Sequence, residues 1–100
     1  MIKRRGRPRF KGGRDPRFLK WVRLTQDCLI CGGMAEPAHI KSRGAGGKDL
    51  GNVLALCRKH HDEQHHQGIE TWTARYGLDL QEAADALATK YLKTLRIAPD

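Results

Sequence analysis

Apolar residues recur along this chain first at helical spacing, then as short runs, then at helical spacing again, and the changes of period mark its elements. Asp15-Pro16 pairs an N-cap residue with a proline at the first turn, and Phe18, Leu19, Trp21 and Val22 supply an apolar stripe to about Leu24. Ala35 to Ile40 reads as a short strand carrying His39, and Val53-Leu54-Ala55-Leu56 as a buried one. Between them Gly44, Gly46, Gly47 and Gly51 are too frequent for a regular element, so Lys41 to Gly51 is expected to be a loop. A helix should begin near Arg58 and end by Gly68, a natural C-cap, with a short helix from Ile69 to Tyr76 stopped by Gly77. Asp79-Leu80-Gln81-Glu82 reads as a capping box opening the last helix. Along that helix Leu80, Ala83, Ala84, Leu87, Tyr91, Leu92 and Leu95 repeat at intervals suited to packing, and Ile97 to Asp100 should fray.

Charge changes this picture at one end. Residues 1–14 carry seven basic side chains (Lys3, Arg4, Arg5, Arg7, Arg9, Lys11, Arg14) and no acid, so a net charge of +8 leaves the remainder nearly neutral. The expected organisation is a disordered basic arm over residues 1–14 and a small folded domain over residues 15–100. A basic arm on a near-neutral domain is a footprint of nucleic-acid contact, with Arg4, Arg5, Arg7 and Arg9 as its DNA-binding residues. Within it Arg5-Gly6-Arg7-Pro8 resembles the core of an AT-hook, an element that lies in a narrow A·T minor groove. Sequence-tolerant phosphate binding is the broader reading, and a solubility or localisation tail is the bland one.

One hundred residues bury a core that is marginal without help, and the cysteines supply a form of help. Cys28-Leu29-Ile30-Cys31 and Cys57-Arg58-Lys59-His60 are two ligand pairs with the same interval, which lets tight turns present all four side chains to one tetrahedral zinc. Three cysteines are too few for a disulfide framework and suit metal in a reducing compartment. His60 repeats the first pair's interval, and His61 is the competing fourth ligand. A set of thiolates and one imidazole saturates zinc, so this site is structural. With no apolar run long enough for a membrane span and no apolar segment behind the basic N-terminus, the expectation is a soluble, cytoplasmic protein without membrane contact.

His61 and His65 remain. Four residues apart on one helix, they share a face and are placed to grip a second metal or a phosphate, whereas His66 points about 100° away. The bland alternative is a solvated polar helix. Its start directly after a metal knuckle favours function.

At this point a family resemblance emerges. Ala38-His39-Ile40, the Gly44 to Gly47 loop, Asn52-Val53, and Leu56-Cys57 followed by His60-His61 and His65 resemble the HNH endonucleases. The texture is similar to the small phage and prophage nucleases of the recombination-enhancement type. It shows in Asp15-Pro16-Arg17-Phe18 before the knuckle and in His60 to Gly68 after it. The resemblance covers about residues 15–80 and implies an α+β fold: a zinc-stapled ββα-metal (His-Me finger) core with flanking helices. It implies that His39 is the general base on a water attacking the phosphodiester, a task suited to an imidazole with an ordinary pKa of ~6.5. It further implies that His61 and His65 hold a divalent catalytic ion (Mg2+, Mn2+ or another transition metal) and that Asn52 orients the base. Lys41 and Arg43, just past His39, are expected to add charge at the phosphate.

One position departs from the family pattern. Many members place Asp or His immediately before the base as a metal ligand, and here that residue is Ala38. Either His61, His65 and waters hold the ion, or His39 is drawn into coordination, or the chain binds DNA without cutting it. Asp49 and Asp62 are possible substitutes. The expected function is a metal-dependent DNA endonuclease in phage or prophage recombination or DNA processing, within a bacterial host cell. DNA, a second copy of the chain and recombination proteins are its expected partners. The alternative is a non-catalytic zinc-ribbon DNA-binding module.

Overall fold

Asp15 opens the first helix, α1 (Pro16–Thr25), in the computed structural model, which describes residues 10–42, 44 and 46–97. Its carboxylate accepts the Phe18 N–H at 3.1 Å, and Pro16 fills the first turn, where no N–H is needed. Phe18 and Val22, one turn apart, are fully buried, each contributing roughly 1.5–3 kcal/mol.

Two strands follow. β1 (Glu36–His39) pairs antiparallel with β2 (Val53–Leu56), with Glu36 opposite Leu56 and His39 opposite Val53. β1 is shorter at each end than the expected Ala35 to Ile40. On the N-terminal side the chain is still leaving the knuckle, where Asp27 and Met34 form an isolated bridge. Beyond His39 the chain bends away into the glycine-rich loop, although the Ile40 N–H still donates to the Asn52 carbonyl at 2.8 Å. β2 is buried along its whole length. Val53 and Ala55 join Phe18, Val22 and Tyr91 in one core cluster, while Leu54 and Leu56 join Cys28, Ala38 and Trp72 in another. A strand packed on both faces has no solvent side, so it reads as a continuous apolar run.

The remaining elements are helical: α2 (Arg58–Gln67), α3 (Ile69–Tyr76) and α4 (Leu80–Ile97). Gly68 serves both as the C-cap of α2 and as the N-cap of α3. The Tyr76 hydroxyl donates to Glu63 at 2.7 Å and ties α3 to α2. The same bond holds the Glu63 carboxyl below its ordinary range and pushes the Tyr76 phenol up. Asp79 accepts the Glu82 N–H at 3.0 Å, giving α4 the N-terminal cap expected of it. On α4 the Tyr91 ring packs at a tilt against Phe18 and Trp21 of α1, at 5.2 Å between ring centroids in each case.

The architecture is thus α+β, with β1, β2 and α2 forming the ββα unit and α1, α3 and α4 around it. Part of the expected arm lies against the domain: Phe10 packs on the first core cluster, and the Gly13 carbonyl accepts the Asp49 N–H at 3.1 Å. Arg4, Arg5, Arg7, Arg9, Arg43 and the AT-hook-like segment lie outside the described residues. Among the described residues no helix is long and apolar enough to cross a membrane.

Candidate active site and metal centre

Two short turns build a thiolate cluster. The first spans Cys28 to Gly33, where Gly32 adopts φ +76°, the left-handed region open to glycine. The Cys28 N–H donates to the Gly33 carbonyl at 2.7 Å, and the Ile30 N–H reaches the Cys28 sulfur at 3.4 Å. The second turn is the junction of β2 with α2, where Cys57 is the N-cap and His60 stands one turn on. The four ligand atoms of Cys28, Cys31, Cys57 and His60 all lie within 4.8 Å of one another. Cys31 Sγ is 3.8 Å from Cys57 Sγ, and His60 Nδ1 is 3.6 Å from Cys28 Sγ and 3.2 Å from Cys57 Sγ. Tetrahedral zinc sets S···S edges of about 3.8 Å and S···N edges of about 3.6 Å, so these donors fit it in both kind and spacing. His60, not His61, completes the set.

The electrostatics of the cluster favour thiolate at its centre. Burial opposes ionisation of Cys28, but hydrogen bonds to the main chain at Cys57, Cys31 and Ile30, with the Cys31 side chain, lower its pKa to about 6. For Cys31 the main-chain hydrogen bond at Gly33 lowers the pKa, but burial and the Cys28 and Cys57 sulfurs outweigh it and push the thiol up. One of the neighbouring sulfurs ionises easily at the expense of the next, the pattern of thiols crowded around one point.

His61 and His65 form a separate pair on the exposed side of α2. Their Nε2 atoms face each other at 3.1 Å, and their ring centroids are 4.8 Å apart. Two imidazole nitrogens sharing one ion at about 2.1 Å stand about 3.0–3.4 Å apart, so the pair fits a common metal. Glu36 on β1 orients it: its carboxylate accepts from His61 Nδ1 at 2.5 Å, leaving Nε2 as the donor atom. Arg58 lies 3.5 Å from the other Glu36 oxygen.

His39 closes the arrangement. A cleft of about 210 Å³ is lined by His39, Ser42, Gln64, His65 and Ile69, which puts the end of β1 and His65 of α2 on one space. His39 Nε2 lies 2.8 Å from Asp49 Oδ1, with the carboxylate only 1% exposed and the imidazole 22%. Beside the cleft, Lys41, Gly46, Gly47 and Lys48 line a second recess of about 290 Å³, a basic wall next to the imidazoles. Asn52 secures this wall: its side chain accepts the Lys41 N–H at 3.0 Å and donates to the Lys41 and Lys48 carbonyls at 2.8 Å each. Gly47 is demanded by that closure, since a Cβ there would stand 2.0 Å from the Lys41 carbonyl oxygen.

Comparison with known proteins agrees with this geometry. The family model described as "Putative HNHc nuclease" matches residues 13–94. The chain belongs to this HNH nuclease family. A relative in Escherichia coli (strain K12), "Uncharacterized protein YdfU", is 39% identical over 71 residues that cover 65% of this chain and 20% of the relative. This chain therefore spans only a small part of that relative's length. No solved structure matches.

Within this HNH framework, Asn52 braces the backbone just after His39: its carbonyl accepts the Ile40 N–H and its side chain bonds both backbone groups of Lys41. Asp49 and Asp62, the candidates for the ligand absent at Ala38, each face another side chain. Asp49 is engaged by His39, and Asp62 lies 3.9 Å from Arg58. Among the described residues no third Cys, His, Asp or Glu joins His61 and His65 in a metal-sized cluster. Ala38 is itself fully buried in the second core cluster, so position 38 is a packing position here. Glu36 and Asp49 were not foreseen in the roles they take. A signal existed for Glu36, which sits one strand period before Ala38 and so on the same face of β1. None existed for Asp49, which lies in an aperiodic loop.

Proposed function

We propose that this chain is a metal-dependent DNA endonuclease in which His39 is the general base. The observation that carries the reading is the shared cleft: His39 at the end of β1 and His65 of α2 line one space, and His65 pairs with His61. His39 takes a proton from water as its oxygen attacks phosphorus, the P–O3′ bond breaks, and a 5′ phosphate and a 3′ hydroxyl result. His61 and His65 would hold a divalent ion, with Glu36 fixing the orientation of His61. Such an ion, when bound, supplies Lewis-acid stabilisation of the scissile phosphate and the leaving oxygen. Lys41 and Lys48 offer positive charge where phosphates approach, and the basic residues Arg4, Arg5, Arg7, Arg9 and Arg43 extend it in sequence. Cys28, Cys31, Cys57 and His60 would hold a structural zinc that stays out of the chemistry.

The finer reading, a phage or prophage nuclease acting in recombination or DNA processing inside a bacterial cell, is supported by the sequence texture around the knuckle and α2. With one site per chain, cutting both strands calls for a second copy. The test is nicking of supercoiled plasmid with Mg2+, Mn2+ or Ni2+. His39→Ala should lower the rate by ~10²–10⁴-fold while leaving the melting temperature near wild type. Equal rates would remove His39 as the base. No nicking by either protein, with DNA still bound, would favour the zinc-ribbon binding module.

A further inference from the structure

Asp49 is the most completely buried charged side chain near the cleft, and what it does with its two oxygens is specific. Oδ2 accepts the Asp15 N–H at 2.6 Å, which ties the loop to the start of α1. Oδ1 is turned to His39 Nε2 at 2.8 Å. The Asp49 backbone is held as well, its N–H by the Gly13 carbonyl and its carbonyl by the Asn52 N–H at 3.2 Å. The carboxylate thus stands on a braced segment and has little freedom to follow the imidazole.

We infer that Asp49 is a positioning residue that keeps the His39 proton on Nε2, so that Nδ1 is the atom that takes the proton from water. The reasoning is one of donors and acceptors. An ionised carboxylate can only accept, so the imidazole nitrogen facing it must carry the hydrogen. A neutral imidazole has one hydrogen and one lone pair, so the lone pair is then on Nδ1. Without Asp49 the two tautomers compete, and the imidazole can also rotate about its side-chain bonds. A base that is in the wrong tautomer, or turned away, abstracts no proton however well the metal and phosphate are placed. Asp49 acts through His39 and not on the reacting atoms. The inference rests on His39 being the base, but its first test does not.

That test is nitrogen-15 NMR of the histidine side chains in the full zinc-loaded chain, at about pH 8.5, where an ordinary imidazole is neutral. His39, assigned by its loss in His39→Ala, should show the Nε2–H tautomer. An Nδ1–H tautomer, or an imidazolium protonated on both nitrogens, would overturn the inference without any variant of Asp49. Asp49→Asn, which keeps size and hydrogen-bonding capacity, should mix or reverse the tautomer and slow single-turnover nicking ~100-fold or more, with DNA affinity unchanged. In a His39→Ala background the same substitution should slow nicking no further. A tautomer unchanged in Asp49→Asn, a rate within about threefold of wild type, or an equal loss in both backgrounds would reduce Asp49 to a loop anchor. If wild type and His39→Ala nick equally, the proposed base is wrong, while the NMR result still decides what Asp49 does to the imidazole.

Discussion

In the thiolate cluster all four donors come from two turns, each spanning four residues, and the sulfur and nitrogen atoms already stand at zinc-like separations. In the imidazole cleft the functional groups come from β1, the glycine-rich loop and α2, and His39 and His61 are each met by a carboxylate from elsewhere in the chain. The first region is saturated: every donor would point at one ion, leaving no room for substrate. The second leaves positions open in the proposed ion site, since His61 and His65 would provide only two nitrogens. Separating a half-buried closed site from an open one lets folding and chemistry be disturbed separately.

The largest expected effect tests the closed region. Cys28→Ser removes the most buried of the thiolates, and because metal affinity at such a site is folding free energy, the domain should unfold at room temperature by circular dichroism. A cooperative melt close to wild type would break the contrast. The His39→Ala substitution is its counterpart, a large loss in rate with the melt unchanged.

Acidity probes the same cluster more gently. The fold lowers the Cys28 pKa from 9.0 to about 6, so in metal-free protein its contribution to stability is full above pH 9.0 and is lost as pH falls towards 6. With zinc bound, protons compete for the thiolates, and metal release to a chromogenic chelator should rise as pH falls below the neutral range. Release already complete at neutral pH would contradict an easily ionised Cys28.

Smaller effects sharpen the open region. Glu36→Gln should weaken the affinity of the imidazole pair for a divalent ion by ~10–100-fold, read by calorimetry, while zinc content stays the same. If zinc content fell with it, the two regions would be one coupled site. Least affected should be cleavage itself on deletion of residues 1–9. That truncation should flatten the salt dependence of DNA affinity by up to about 0.9 per phosphate no longer contacted. An unchanged slope would mean that the arm does not touch DNA.

Helix boundaries were legible because capping and period are local properties, whereas β1 is shorter at each end than its apolar pattern suggests. Asp15-Pro16, Gly68, Gly77 and Asp79 act where their chemistry says they should. The knuckle was legible for the same reason, and the choice of His60 over His61 followed from repeating one interval. The cleft was only half visible. His39, His61 and His65 stand out as residue types, but what orients them does not. Asn52 is expected to orient the base by its backbone or side chain, and its bonds to Ile40 and Lys41 brace the segment that follows His39. Asp49 was weighed as a metal ligand and proves to face His39 instead.

By itself the sequence determined what neighbours in the chain can decide: where helices start and stop, which strand lies between two packed layers, and which four residues gather on one ion. Only tertiary structure decided which carboxylate meets which imidazole, because Glu36 reaches His61 and Asp49 reaches His39 through packing that no interval encodes. Local geometry depends on a few torsions, whereas those meetings depend on how the sheet, the loop and α2 settle against a shared core.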